Sequence, residues 1–328
     1  MALKILITRP NIVNKSDGVA TYCQKLYELM EGVEDIEMLP IKNYPGSNLP
    51  FKRFTYDWDA FMEDLSSIDF DIIHINGSSS YSVHQAFKAA ELLNKKIVYT
   101  GHFHPFSTTK HPFGLRLFSN LFFRPYFGKC SAITTLNSED TAFYEQYSKK
   151  VFRIPHWSKF SVCDDYLNKI EKKPNMILFV GRADSFNKGF EHLFYLPEGK
   201  YEIHCVGRGK LPKYRSDFFH HSEISDEELM ELYAKASLLV VPSSYEAFSY
   251  VALEALSMNT PIVISNNVRI GDYLHEFPCC SYFDYQDYSS FVNAVESTIG
   301  KPVQRDAILK IFDPNTIRDR YALLYRSL

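Results

Sequence analysis

Short apolar, β-rich runs alternate along this chain with longer segments whose apolar positions recur every three or four residues. The short runs are Lys4–Thr8, Asp71–Ile75, Lys96–Thr100, Ala132–Leu136 and Val151–Ile154, then Met176–Val180, Glu202–Val206, Leu238–Val241 and Pro261–Ser265. Gly18–Met30, Ser80–Leu93 and Asp226–Ala236 have the amphipathic period of helices, and Ser225 with Glu228 three residues on has the spacing of a capping box. Further helices are predicted near Tyr288–Ile299 and over Asp313–Leu328. Strands alternating with helices predict βαβ units in mostly parallel sheets, an α/β fold.

The strands fall into two series, separated by Pro155–Pro174, a stretch of mixed polarity without a strand pattern. A linker is predicted there. Residues 1–155 then form an N-terminal Rossmann-like domain, 156–174 the linker and 175–312 a C-terminal Rossmann-like domain, with a helix over 313–328 packing back on the first. Two such domains facing a cleft suit a chain of 328 residues, since a domain averages roughly 150. Either half is long enough to bury a core.

Composition narrows the function. With 45% hydrophobic and 23% charged residues the chain lies far from the disordered class. A net charge of −3 gives no basic field to hold nucleic acid by counterion release. Cys23, Cys130, Cys163, Cys205, Cys279 and Cys280 contain no C-x-x-C pair, so buried thiols are expected rather than a zinc site or disulfide framework. The apolar run at the N-terminus is too short for a signal peptide, and no 18 apolar residues run together. A cytoplasmic protein is expected, one able to lie at the inner face of the membrane. Between Leu92 and Ser138 there are six basic residues and no acid, and within it Phe113–Phe127 mixes bulky apolar groups with Arg116 and Arg124. That composition suits an interfacial helix on anionic lipid, and equally a core helix with two solvated cations.

In open parallel sheets ligands bind beyond the carboxyl ends of strands. After Ile177–Val180 comes a strand-to-helix loop that carries Arg182 and Lys188, two cations in a position to clamp a diphosphate, although loop cations are also commonly solvated. After Leu238–Val241 come Glu246 and, eight residues on, Glu254. Two acids so spaced could hold different hydroxyls of one ligand; the alternatives are a solvated Glu254 and a Glu246 that serves as a helix N-terminal anion.

Taken in order, Val180-Gly-Arg182 with Lys188-Gly189, Val206-Gly-Arg-Gly209, Ser225-Asp-Glu-Glu-Leu229, Pro242-Ser-Ser-Tyr-Glu246-Ala-Phe248 through Glu254-Ala-Leu, and Pro261-Ile-Val resemble the donor-binding half of family 4 retaining glycosyltransferases of GT-B fold. The match runs over residues 176 to 265. In the first half, Asp17-Gly18-Val19-Ala20 resembles the family's glycine-rich phosphate loop, with Asp17 where glycine is usual. Tyr99-Thr-Gly-His102-Phe-His104 resembles the strand-end histidine that touches the donor sugar, with His104 as a second candidate. Pro155-His156-Trp157 departs from the usual Pro-Asn-Gly hinge, and Ala247 and Ser249 stand where the family favours glycine.

The resemblance implies a metal-independent hexosyltransferase that moves sugar, with retention, from a UDP-, GDP- or ADP-sugar to a glycan or lipid-linked acceptor in surface polysaccharide synthesis. It needs no cofactor. Glu246 would hold hydroxyls of the donor sugar and Glu254 the ribose, Arg182 and Lys188 would neutralise the diphosphate, and His102 would meet the sugar. Gly18, Gly207 and the backbone of Ser249, Tyr250 and Val251 would also bind the donor. A catalytically silent nucleotide-binding subunit and a sugar-nucleotide epimerase are the rival readings. Two D-x-D pairs, Asp57/Asp59 and Asp69/Asp71, spell a metal-binding motif of another fold, but one opens a helix and the other precedes a strand at its amino end.

Overall fold

Six apolar segments of the first half pair as one parallel sheet: β1 (Leu3–Ile7), β2 (Ile36–Leu39), β3 (Ile72–Asn76), β4 (Lys96–Thr100), β5 (Ala132–Thr135) and β6 (Val151–Arg153), in the order β2-β1-β3-β4-β5-β6. The computed structural model describes residues 2–9, 18–39, 44, 55–77, 80–102, 117, 119–158, 164–211 and 215–328. β3 is buried along its whole length, as a strand covered on both faces must be. The helices α1 (Gly18–Met30), α2 (Trp58–Ser67), α3 (Tyr81–Leu92) and α4 (Ser138–Glu145) belong to this unit. α1 buries Tyr22, Cys23, Leu26 and Met30, one face of a 3.6-residue period.

Both D-x-D pairs have structural partners. Asp57 caps α2, its side chain accepting from the Ala60 N–H at 3.2 Å. Asp69 pairs with Lys4 Nζ at 3.0 Å, and Asp71 accepts from the Lys4 backbone N–H at 2.9 Å, at the amino end of β1 and β3.

The second unit, His156–Asp313, is a second parallel sheet. Its strands are β7 (Lys173–Val180), β8 (Glu202–Val206), β9 (Phe218–His221), β10 (Ala236–Val241), β11 (Ile262–Ser265) and β12 (Cys280–Phe283), in the order β12-β11-β10-β7-β8-β9. Its longer helices are α5 (Asp226–Lys235), α6 (Tyr250–Ser257), α7 (Tyr288–Thr298) and α8 (Arg305–Ile311). The expected capping box opens α5, with Glu228 N–H donating to Ser225 Oγ at 3.1 Å and Ser225 N–H to Glu228 Oε2 at 2.8 Å. β7 starts earlier than the sequence pattern predicts, inside the expected linker. Pro174 is accommodated because the β10 register shifts between Ala236 and Leu238 alongside it.

The first unit comprises Met1–Pro155 and Pro314–Leu328, so the last helix, α9 (Pro314–Arg326), completes the first unit. Arg326 of α9 pairs with Asp35 at 2.6 Å. In both sheets the chain builds outward on one side of its first strand and then returns to the other. The reversal falls between β1 and β3 in one sheet and between β7 and β10 in the other. In open parallel sheets the carboxyl ends of the strands at such a switch point are where ligands bind.

Cys23, Cys130, Cys205, Cys279 and Cys280 are buried free thiols, and Cys163 lies outside the described residues. Among the described residues no helix is long and apolar enough to cross a membrane. The acid-free stretch is described only in part: His104 and Arg116 lie outside, while Phe123 and Phe127 are buried and Leu117 and Leu121 are 51% and 61% exposed.

Candidate functional site

At the switch point of the second sheet two loops meet, one after β7 and one after β10. Lys188 ends the first, and its Nζ donates to Glu246 Oε1 in the second at 2.7 Å. Ser243 Oγ donates to the same oxygen at 2.7 Å. Backbone bonds fix this meeting: Ser244 N–H to Asn187 O at 2.9 Å, Glu246 N–H to Asn267 O at 3.1 Å, and Arg269 N–H to Glu246 O at 2.9 Å. Gly189 makes the loops' approach feasible. Its φ is +66°, and a Cβ there would lie 1.7 Å from Pro242 O. Gly207, after β8, has φ +144° and its Cβ would lie 2.4 Å from Gly181 O, so it lets the loop after β8 pack on the loop after β7.

Burial pushes the Glu246 carboxyl up, but the Lys188 ammonium and the hydrogen bonds outweigh it and leave the group below its ordinary range. The site therefore carries a fixed carboxylate beside a fixed ammonium. Arg182 has a different partner: its side chain is 67% exposed and its Nε donates to Asp184 Oδ1 at 3.2 Å. Each of the two cations expected to form the clamp is thus paired with its own carboxylate.

Ser249 precedes α6, where the first N–H groups have no intrahelical partner and carry the positive end of the helix dipole. Tyr250 and Val251 begin that helix, and Glu254 lies in its second turn. Glu254 is buried, not solvated, and accepts from the Tyr233 hydroxyl at 3.1 Å. The imidazole of His156, from the segment that departs from the usual hinge, stacks on Tyr250 with centroids 4.4 Å apart and planes 9° apart.

In the first unit Gly18 opens α1, and among the described residues nothing lies within 4 Å of where a Cβ would be; Asp17 lies outside the described residues. His102 follows β4 with φ +56°, a left-handed conformation that costs a non-glycine residue about 1–3 kcal/mol. Asn76 Nδ2 donates to Thr8 O at 3.0 Å and His74 O at 3.1 Å, which turns Oδ1 toward His102 Nε2 at 2.9 Å. An amide oxygen only accepts, so Nε2 carries the hydrogen. Burial, with His74 beside it, lowers the His102 pKa to about 3, and the ring is neutral.

Sequence reasoning missed the roles of Ser243, Asn187, Tyr233 and Asn76. Ser243 and Asn76 stand at strand ends, and their polar side chains there were the available signal. Asn187 acts through its backbone carbonyl, which residue type does not reveal, and Tyr233 through a carboxylate 21 residues away.

Residues 211–308, which include Glu246 and Glu254 and begin after Lys188, match the family model of glycosyl transferases group 1. The chain is 21% identical to an uncharacterized 41.2 kDa protein in the cps region of Klebsiella pneumoniae, over 82% of each chain. It is 37% identical to MMP alpha-(1->4)-mannosyltransferase of Mycolicibacterium hassiacum, over 28% of this chain and 26% of that one. In structure it is similar to sucrose-phosphate synthase from Thermosynechococcus elongatus, with a TM-score of 0.73 and 17% identity, covering 99% of this chain and 98% of the other. Two parallel six-stranded sheets with flanking helices, matched along both chains, are the GT-B fold.

Proposed function

We propose that this chain is a retaining, metal-independent hexosyltransferase that carries sugar from a nucleoside diphosphate donor, UDP-, GDP- or ADP-linked, to a glycan or lipid-linked acceptor in surface polysaccharide synthesis. The observation that carries the reading is the Lys188–Glu246 ion pair at the switch point of the second sheet. Transfer breaks the bond between the anomeric carbon and the β-phosphate oxygen, and the bonding electrons leave with the diphosphate. Negative charge therefore grows on phosphate oxygens, where the Lys188 ammonium and the N–H groups of Ser249, Tyr250 and Val251 stabilise it without a metal. Arg182, exposed and paired with Asp184, adds a second cation once a stronger anion draws it in.

Glu246 stays ionised and accepts hydrogen bonds from sugar hydroxyls; Glu254 accepts from the ribose, and the backbone at Gly207 completes the donor site. One Glu246 oxygen already accepts from Lys188 and Ser243, which makes the carboxylate a poor nucleophile and favours direct transfer over a glycosyl-enzyme. The acceptor oxygen then bonds the anomeric carbon on the face the diphosphate leaves, and its proton passes to a departing phosphate oxygen. His102 offers the sugar a neutral imidazole.

A single-turnover assay with labelled donor tests this. Transfer with the anomeric configuration unchanged should survive excess chelator, and Lys188→Ala should lower kcat about 100-fold, the scale of losing one charge-stabilising donor. Loss on chelation restored by a divalent ion, or a wild-type rate in Lys188→Ala, would overturn the reading. Donor binding without transfer would support the silent subunit, and conversion of the donor without acceptor the epimerase.

The acceptor side would work against lipid. Leu117 and Leu121, four residues apart and exposed, accompany Arg116 and Arg124 in a stretch without an acid. Near an anionic surface each cation contributes about 1 kcal/mol. Arg116→Glu with Arg124→Glu should abolish co-sedimentation with anionic liposomes, placing the protein at the inner face of the membrane. A wild-type protein that stays in the supernatant at low salt would contradict it.

A further inference from the structure

The geometry points to Tyr22 and Tyr321 as positioning residues that fix the plane of the His102 ring. This inference rests on the reading of His102 as the group that meets the donor sugar. The Tyr22 and His102 rings meet edge to face, with centroids 4.3 Å apart and planes at 66°. Asn76 holds Nε2 by a hydrogen bond, and Tyr22 packs against the ring. A phenol on α1 could still pivot about its own side-chain bonds. That freedom is removed at its far end, where the Tyr22 hydroxyl is 2.6 Å from the hydroxyl of Tyr321 on α9, 299 residues away.

Tyr321 is itself seated. It and Tyr325 lie one helical turn apart on the buried face of α9, with rings stacked at 6.1 Å. The Tyr325 hydroxyl is 2.7 Å from His74 Nδ1, whose Nε2 is 2.7 Å from Thr100 Oγ1, and Thr100 bonds Thr134. With Tyr22, the side chains of Tyr321, Tyr325, His74, Thr100 and Thr134 are all buried. Hydroxyls at these depths keep their places because an unmade hydrogen bond has no water to replace it. The end of the chain thus reaches, through two tyrosine hydroxyls, the orientation of a histidine in the middle of the first unit.

Two variants that each remove one oxygen and no ring, Tyr321→Phe and Tyr22→Phe, test the inference, together with the double variant. The first readout is the imidazole nitrogen and Nε2–H signals of His102 in protein labelled with ¹⁵N-histidine, which need no substrate. In the wild type a single tautomer with a slowly exchanging Nε2–H is expected. Either single variant should give averaged nitrogen shifts and faster exchange. The second readout is single-turnover transfer: each single variant should lower kcat about tenfold with donor KM within twofold, and the double variant should lose no more than one single, because all three break the same bond. Unchanged His102 signals in both single variants, or signals unchanged while the melting temperature falls, would overturn the inference. Additive losses in the double variant would do the same. If the His102 signals respond as expected but no donor is transferred by the wild type, the positioning stands and the transferase reading fails.

Discussion

His74 is fully buried, with a hydroxyl on each ring nitrogen, and burial lowers its pKa to about 3. The unfolded chain protonates the same group below about 6.5. Between those values the unfolded state holds a proton that the folded state refuses, so stability falls as the solution is acidified. The slope from this one group is about 1.4 kcal/mol per pH unit, or about 2 kcal/mol between pH 6.5 and about pH 5. His74→Gln, which keeps polar atoms but does not titrate, should flatten the curve of unfolding free energy against pH by that slope, as read from urea titrations. A variant curve parallel to the wild type would show that His74 does not contribute. Lys188 and Glu246 were legible as site candidates because they follow apolar runs at strand ends. Tyr22, Tyr321 and His74 were not: their partners lie up to 299 residues away, and nothing local in a tyrosine shows whether its hydroxyl is buried against another.

At the scale of elements, the two loops at the switch point of the second sheet stand or fall with Gly189. Alanine there would occupy a left-handed conformation and press its Cβ into the Pro242 carbonyl, so the loops must separate. Gly189→Ala should cost about 3 kcal/mol in all and weaken donor binding together with stability. Chemical denaturation and donor titration check this, and full stability with full affinity would contradict it. All nine strands expected from apolar runs are present, and the capping box of α5 was readable from four residues. The three strands that pattern reading missed, β2, β9 and β12, are all sheet edges. An edge strand is short and half-exposed, so Ile36–Leu39, Phe218–His221 and Cys280–Phe283 mix polar and apolar residues and do not form an apolar run. The early start of β7 was hidden for a related reason: a proline within a strand argues against that strand until the neighbouring register is known to shift.

The whole molecule is two similar sheets, each with a switch point, and the chain specialises them differently. In the second, a carboxylate and an ammonium meet beside the start of a helix that carries a second buried carboxylate. In the first, a neutral histidine is held by an amide and a tyrosine, with the last helix of the chain beneath it. The order of motifs was enough to indicate the GT-B fold, because switch points and strand ends follow from the order of strands. Which sugar nucleotide fits does not follow from that order, since the order of strands places the strand ends but not the groups that would meet a base or a sugar. As proposed, a nucleoside diphosphate sugar binds at the switch point of the second sheet through Lys188 and Glu254. A thermal-shift series of UDP, GDP, ADP and their sugars on the wild type, Lys188→Ala and Glu254→Ala tests it most directly. One nucleotide series should stabilise the wild type, by about 2.7 kcal/mol at about 100 times its Kd, and should lose most of that effect in both variants. No response to any of the nucleotides, or an equal response in all three proteins, would contradict the claim.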